Sequence, residues 1–217
     1  MSIIIIHELG HLLTAKYYNW KIDKIYIYPL GGITKINDKI NKPLKEELII
    51  VLMGPIFQII YYYFLKILGV EDILIFNLIL LTFNLLPIYP LDGGKILNLL
   101  FSFCLSYKLS YKITFFISFF SYIVLVFFSL LHLHSFFFII IIFLLFFKIL
   151  DEYSKKKFYF NKFLLERYLN NYRFKKIKFI KKIDSMYRDK THFFRKNNQI
   201  VTEKEFLKEY FNMIIYK

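Results

Sequence analysis

Residues 48–68 read LIIVLMGPIFQIIYYYFLKIL, a stretch that is apolar except at Gln58 and Lys66. A helix that crosses a bilayer needs about 20 mostly apolar residues, and this stretch is long enough. Three further stretches are similar, residues 73–91, 113–131 and 136–150. The sequence therefore predicts an all-α polytopic membrane protein with about four full transmembrane helices.

The composition agrees with a membrane protein and excludes two other classes. Of the 217 residues 57% are hydrophobic, and the mean hydropathy is +0.46. Disordered chains have low hydrophobicity, so disorder is excluded. The single cysteine, Cys104, excludes a small domain that disulfides hold together. An ordinary soluble domain is about 45–50% apolar and rarely contains such long uninterrupted apolar stretches.

The positions of the lysines predict the orientation in the membrane. Segments 16–47 and 92–112 are lysine-rich, whereas the connections 69–72 and 132–135 contain neither Lys nor Arg. Because positive residues favour the cytoplasmic side, we expect the two lysine-rich segments and the C-terminal part to face the cytoplasm. The predicted location is therefore within a membrane, with the C-terminal part on the cytoplasmic side.

The net charge divides the chain into two parts. Residues 1–150 carry a net +4 and residues 151–217 carry +10 of the formal total of +14. We expect a transmembrane core over 1–150 and a basic cytoplasmic tail over 151–217. The tail is expected to lie free in the cytoplasm, to rest on anionic lipid or to dock an acidic partner. It contains no nucleic-acid recognition module, so no nucleic-acid partner is expected.

A metal-binding pattern, HELGH, lies at residues 7–11, on a partial helix that begins with apolar residues. His7 and His11 are four residues apart, so they point the same way from a helix and can hold one zinc ion. Glu8 lies beside them and can take a proton from a water molecule. The alternative is a chance match with two core histidines. An acidic residue in a membrane helix is costly unless it is functional, which favours the metal site.

A catalytic zinc site needs a third protein ligand and one open position. Asp92 is the best candidate, because it lies near the cytoplasmic end of the predicted second span. Cys104 is an alternative in a cytoplasmic connection. His132 and His134 lie in a predicted outer loop, across the bilayer from the HELGH motif, and are expected to be ordinary interfacial histidines.

The residues before Asp92 predict a broken helix. Residues 84–94 read NLLPIYPLDGG, in which Pro87 and Pro90 remove two backbone donors and two glycines follow the aspartate. A broken helix is tolerated inside a membrane only where its backbone faces protein or a wet cavity. We therefore expect this segment to line a functional site.

HELGH together with NLLPIYPLDGG resembles the site-2 protease family of intramembrane zinc metalloproteases. The resemblance is to the bacterial branch that includes the sporulation sigma-factor processing protease, and it covers residues 1–150. It implies one zinc ion per chain, held by His7, His11 and Asp92, with Glu8 as the general base. Asn84 and Pro87 match conserved positions of the second motif and are expected to contact substrate. The alternative for Asn84 is that it satisfies backbone groups that the prolines leave free.

Two further features resemble elements of this family. In residues 25–33 isoleucine and tyrosine alternate, and a proline and two glycines typical of a turn follow them. This pattern predicts a short interfacial β-hairpin. The resemblance implies that such a hairpin pairs with an extended substrate, so Gly31 and Gly32 are expected to contact it. The alternative is a hairpin with a structural role only. The pair Gly54-Pro55 resembles the GP pair of the family.

The resemblance predicts cleavage of a membrane-embedded or membrane-associated protein near the cytosolic face, with regulatory membrane proteins as further partners. Two other functions compete with it. One is a catalytically inactive membrane protein of the same fold that binds or regulates a partner. The other is a channel or transporter, which the small number of ionisable residues in the spans disfavours. Six residues precede His7, fewer than is usual in the family, so the completeness of the N-terminus stays open.

Overall fold

A computed structural model describes residues 1–28, 31–36, 40–132, 136–172, 174–196 and 199–215. Within these ranges the chain forms eight α-helices and two small sheets. The helices are α1 Ser2–Tyr17, α2 Leu44–Ile67, α3 Leu74–Asn84, α4 Asp92–Cys104, α5 Tyr107–His132, α6 Phe136–Ser154, α7 Lys156–Leu169 and α8 Glu203–Ile215. The strands are β1 Ile22–Tyr28, β2 Gly31–Ile36, β3 Lys176–Ile180, β4 Lys190–Lys196 and β5 Gln199–Thr202.

Two helices of the described chain, α2 and α5, are long and apolar enough to cross a membrane. The prediction of about four full spans is therefore not confirmed. Helix α6 has 19 residues, and α3 has 11. At a rise of about 1.5 Å per residue, α3 is about 16 Å long, roughly half the thickness of the hydrocarbon core.

The single span predicted over residues 73–91 is wrong, because the chain leaves the helix after Asn84. Pro87 and Pro90 have no backbone N–H, so the helical hydrogen-bond ladder cannot continue through them. The peptide bond before Pro90 is cis. The N–H of Tyr89 donates to Oγ of Ser118 on α5, at 2.9 Å. The segment between α3 and α4 is thereby held against α5.

The start of α4 packs tightly against this broken segment. A Cβ on Gly93 would lie 2.2 Å from the backbone oxygen of Leu85, and one on Gly94 would lie 2.4 Å from the nitrogen of Tyr89. Neither distance is sterically allowed. The two glycines therefore let the first turn of α4, immediately after Asp92, pack directly on the backbone of the broken segment.

Helices α1 and α2 also approach closely. A Cβ on Gly10 would lie 2.3 Å from the backbone oxygen of Met53, so the two backbones meet where α1 has no side chain. Beyond the end of α1, the indole N–H of Trp20 donates to Oε2 of Glu46 at 2.9 Å. These contacts fix the face of α1 that points toward α2.

The predicted hairpin is present as two antiparallel strands. β1 pairs with β2 in a register that joins Tyr28 to Gly31 and Ile27 to Gly32. The turn residues Pro29 and Leu30 lie outside the described residues. β2 runs beside α1, the helix that carries the HELGH motif.

The C-terminal part is a folded unit with strands, so the expectation of a chain that is helical apart from the hairpin was wrong. β3 pairs in parallel with β4, and β5 pairs antiparallel with β4. Helices α7 and α8 cover the sheet. Their shared core consists of Phe163, Leu164, Ile180, Met186, Phe194 and Leu207, and Tyr107 of α5 joins it. In the sequence these apolar residues are separated by lysines. The net charge of the segment therefore led to the prediction of a basic tail.

This C-terminal unit is attached to the chain at the starts of α2 and α5. The guanidinium of Arg188 donates to the backbone oxygen of Ile40 and to Oε2 of Glu47 at the start of α2, both at 2.5 Å. The backbone N–H of Tyr107 donates to the backbone oxygen of Met186 at 2.8 Å. The unit is therefore docked on α2 and α5.

Candidate metal centre

Helix α1 presents His7 and His11 toward α2 and the start of α4. The two side chains are one helical turn apart, and their Nε2 atoms lie 3.2 Å from each other. Both residues are buried, with 4% and 8% of their surface exposed. Residues four apart on a helix share a face, so the geometry of α1 alone brings the two rings together.

The second nitrogen of each ring donates to a fixed acceptor on α2. Nδ1 of His7 donates to Oε1 of Gln58 at 2.9 Å, and Nδ1 of His11 donates to the backbone oxygen of Ile50 at 2.8 Å. Both partners can only accept here, so each Nδ1 carries the proton in the neutral ring. The lone pair of each Nε2 is then free to face the space between the two rings. Partners of this type orient the histidines of metal sites.

The carboxylate of Asp92 completes this cluster. Its Oδ2 lies 2.8 Å from Nε2 of His7 and 3.2 Å from Nε2 of His11. Asp92 is 85 residues from His7 in the chain and is 6% exposed. It is the first residue of α4, and the close packing of Gly93 and Gly94 on the broken segment positions this end of the helix.

These three atoms fit a zinc ion. Three lone-pair atoms within 3.2 Å of one another repel unless a proton or a cation lies between them. Ligand atoms about 2.0–2.1 Å from a tetrahedral zinc ion are about 3.3 Å apart. The observed separations of 2.8, 3.2 and 3.2 Å are close to that value. Two imidazoles and one carboxylate are also a ligand set found at catalytic zinc sites.

Two charged side chains flank the cluster. A carboxylate oxygen of Glu8 lies within 4.8 Å of the ligand nitrogens of His7 and His11, and Glu8 is 7% exposed. The ammonium of Lys95 donates to Oδ1 of Asp92 at 3.1 Å. A carboxylate and an ammonium group thus both lie near the space that the histidines face.

Among the other candidate ligands, the structure describes only the side chain of Cys104. Cys104 is exposed at the far end of α4, about 18 Å along the helix from Asp92. His132 ends α5, and His134 lies outside the described residues. None of the described contacts of the cluster involves Cys104. Asp92 is therefore the third side chain that the fold brings to the two histidines.

The four residues that were predicted to contact substrate belong to β2, to α3 and to the broken segment. Asn84 ends α3, Pro87 is in the broken segment, and Gly31 and Gly32 begin β2. The described hydrogen bonds of the cluster include none of the four. Their role toward a substrate stays a prediction.

Several residues around the cluster were not anticipated from the sequence. Gln58 connects His7 to α3, because its Nε2 donates to the backbone oxygen of Asn77 at 3.0 Å. The carbonyl of Ile50 and the ammonium of Lys95 have similar supporting positions. Gln58 had a visible signal, since an amide in an otherwise apolar span is costly without a partner. A backbone carbonyl has no such signal.

Comparison with known proteins identifies the family. The model of Peptidase family M50 matches residues 1–73 and 62–129. The chain therefore belongs to this family, which confirms the resemblance to site-2 proteases. The matched region contains the HELGH motif, the broken segment and Asp92.

Individual relatives agree with this assignment. Stage IV sporulation protein FB of Bacillus subtilis is 31% identical over 195 residues, covering 77% of this chain and 62% of that protein. A zinc metalloprotease of Methanocaldococcus jannaschii is 37% identical over 111 residues, covering 46% of this chain and 32% of that protein. The chain thus spans less than two thirds of the length of either relative. A solved structure, the site-2 protease from Methanocaldococcus jannaschii, matches with a TM-score of 0.58 and 30% identity over 70% of this chain and 74% of that one.

Proposed function

We propose that this protein is an intramembrane zinc metalloendopeptidase that cleaves a membrane-embedded or membrane-associated protein. The observation that carries the proposal is the convergence of two Nε2 atoms and one carboxylate oxygen, all buried, in a chain of this family. His7, His11 and Asp92 would hold one zinc ion per chain. Bound zinc supplies Lewis-acid chemistry and lowers the pKa of a coordinated water to about 7.

In this mechanism the proposed proton acceptor and donor is Glu8. Its carboxylate is close enough to the histidine nitrogens to accept a proton from the attacking water. It would pass that proton to the nitrogen of the departing amine when the peptide bond breaks. Gln58 and the Ile50 carbonyl keep the two imidazoles oriented throughout, because each holds one Nδ1–H. No covalent intermediate with the protein is needed.

A substrate helix must unwind before cleavage, because its amides are hydrogen-bonded within the helix. The β1–β2 hairpin beside α1 offers a strand edge that can pair with the unwound segment. We propose Gly31 and Gly32 on β2, and Asn84 and Pro87 beside the broken segment, as substrate contacts. Regulatory membrane proteins are further proposed partners.

The proposed orientation has the metal centre near the cytoplasmic face of the plasma membrane. Its support is the lysine content of segments 16–47 and 92–112, which contain or adjoin the ends of the helices that carry the cluster. The C-terminal unit, residues 151–217, would then lie in the cytoplasm. No nucleic-acid partner is proposed.

The test is the zinc content of the full chain purified in detergent, for wild type and for Asp92→Ala. We expect close to one zinc per wild-type chain and a sharp loss in the variant, because two histidines alone leave the site incomplete. Lys112→Met, a change at an exposed residue of α5, is the matched control and should retain zinc. Folded wild-type protein without zinc would contradict the proposal and support the alternative of an inactive binding or regulatory protein.

A further inference from the structure

The two oxygens of the Asp92 carboxylate have different partners. Oδ2 faces His7 and His11, at 2.8 and 3.2 Å from their Nε2 atoms. Oδ1 accepts a hydrogen bond from Nζ of Lys95 at 3.1 Å. The side chain of Asp92 is 7% exposed and that of Lys95 is 44% exposed, so a half-exposed cation holds one side of a buried acid.

We propose that Lys95 is a positioning residue of the metal centre, whose ammonium retains Oδ1 so that Asp92 offers Oδ2 alone to the metal ion. The inference rests on the proposed function, because it concerns how the ion is ligated. The proposed function names three ligand residues. The present inference adds that the carboxylate of Asp92 binds through one oxygen only.

The fold leaves Lys95 in a defined place. Asp92 and Lys95 are three residues apart in the first turn of α4, so their side chains are neighbours on the helix surface. Gly93 and Gly94 between them have no side chains, and both pack against the broken segment. Within that turn, Lys95 is therefore the one side chain that follows Asp92 and can reach its carboxylate.

Whether Asp92 binds the metal through one oxygen or through both decides whether the site keeps an open position. Two imidazole nitrogens and one oxygen occupy three positions of a tetrahedral zinc site and leave the fourth open. If both oxygens of Asp92 bound, the four positions would be filled by protein. A closed set of four protein ligand atoms is typical of structural zinc sites, whereas catalysis needs the open position.

Through its charge alone Lys95 would weaken metal binding, because an ammonium repels a nearby divalent cation. Removing it is therefore not expected to weaken metal binding through electrostatics. The contribution of Lys95 must come through the geometry of Asp92. If Lys95 positions Asp92, a variant without Lys95 should still bind the metal but should lose the open position. This result distinguishes a positioning role from a merely structural one.

The experiment uses the full chain in detergent loaded with Co²⁺, whose visible absorption bands report its coordination. Wild type, Lys95→Met, Lys95→Arg and the control Lys112→Met are titrated with imidazole, a neutral ligand that needs an open position. We expect the bands of wild type, Lys95→Arg and Lys112→Met to shift on titration. Lys95→Met should bind Co²⁺ but need at least about tenfold more imidazole for the same shift.

The outcomes separate this inference from the proposed function. Failure of the wild type to bind Co²⁺ would overturn both. Co²⁺ binding by all four proteins, with the same imidazole response in Lys95→Met as in wild type, would overturn the role of Lys95 and leave the proposed function standing. Loss of Co²⁺ from Lys95→Met would also overturn it, because Lys95 would then be needed for the site to form at all.

Discussion

The imidazole of His11 lies directly against Gly54. A Cβ on Gly54 would be 2.3 Å from both Cε1 and Nε2 of His11, which no side chain could tolerate without a shift of the ring or of helix α2. Helix α2 also carries Ile50, whose carbonyl holds the other nitrogen of the same ring. The absence of a side chain at Gly54 is thus part of what positions the proposed ligand.

Gly54→Ala should therefore weaken metal binding. The methyl group would displace the His11 ring from Ile50 or move α2 away from α1, so we expect zinc affinity to fall at least about tenfold. Competition with a chelator measures this affinity. Ile60→Ala on the same helix, where the side chain is 60% exposed, should leave it unchanged. Equal affinity in Gly54→Ala and wild type would show that the ring is not constrained in this way.

Glu8→Gln should separate catalysis from metal binding. The amide cannot take a proton from water, so we expect cleavage to fall by about 10²–10⁴-fold. Zinc content should stay at the wild-type level, because His7, His11 and Asp92 are intact. The measurement combines zinc analysis with a gel assay of a co-expressed membrane-protein substrate. Wild-type cleavage by this variant would exclude Glu8 as the general base.

Gln58→Leu tests the support of His7. Leucine cannot accept the proton of Nδ1, so the ring loses the partner that fixes its orientation. Loss of such a supporting residue typically costs about 10–100-fold in metal affinity. Ile59→Ala, at the next and partly exposed position of α2, is the control. An unchanged zinc affinity in Gln58→Leu would mean that α1 orients His7 without help.

Acid should destabilise the C-terminal unit through His192 on β4. This residue is fully buried, its Nδ1 donates to Oε2 of Glu203, and its Nε2 accepts from the backbone N–H of Tyr187. Burial lowers the pKa of His192 below its usual 6.5, and the bond to Tyr187 also needs the neutral ring. The unfolded chain therefore binds this proton first as the pH falls. The stabilisation is complete above about pH 6.5 and is lost below it.

Hydrogen exchange of β4 and α8 measures this effect. Between about pH 7.5 and about pH 5.5, corrected for intrinsic rates, protection should fall in wild type. It should fall less in His192→Gln, which has no group that titrates there. Burial raises the pKa of Glu203, but the bond from His192 and the charge of Arg167 outweigh it, so the pKa lies below 4.5. Loss of protection only below about pH 4.5 would assign the effect to Glu203 instead.

The sequence predicted those features that depend on residues close together in the chain. The spacing of His7 and His11 is enough to align them, because a helix repeats every 3.6 residues. The alternating residues before Gly31 predicted the hairpin strands in the same way. Pro87 and Pro90 predicted a broken helix, since a residue without an N–H cannot continue it. The apolar stretch 73–91 is nevertheless long enough for a full span. Hydropathy depends only on the number of apolar residues and carries no information about where a helix ends.

Only the tertiary structure decided which distant groups meet. Asp92 lies 85 residues from His7, and the close packing of α1 on α2 and of α4 on the broken segment brings them to 2.8 Å. The sheet of β3, β4 and β5 was missed because its strands are short and because β3 and β4 contain several lysines. Packing against α7 and α8 stabilises it. The backbone carbonyls of Ile50 and Asn77 have no local pattern at all. Their positions follow from backbone approach, which residue type alone does not determine.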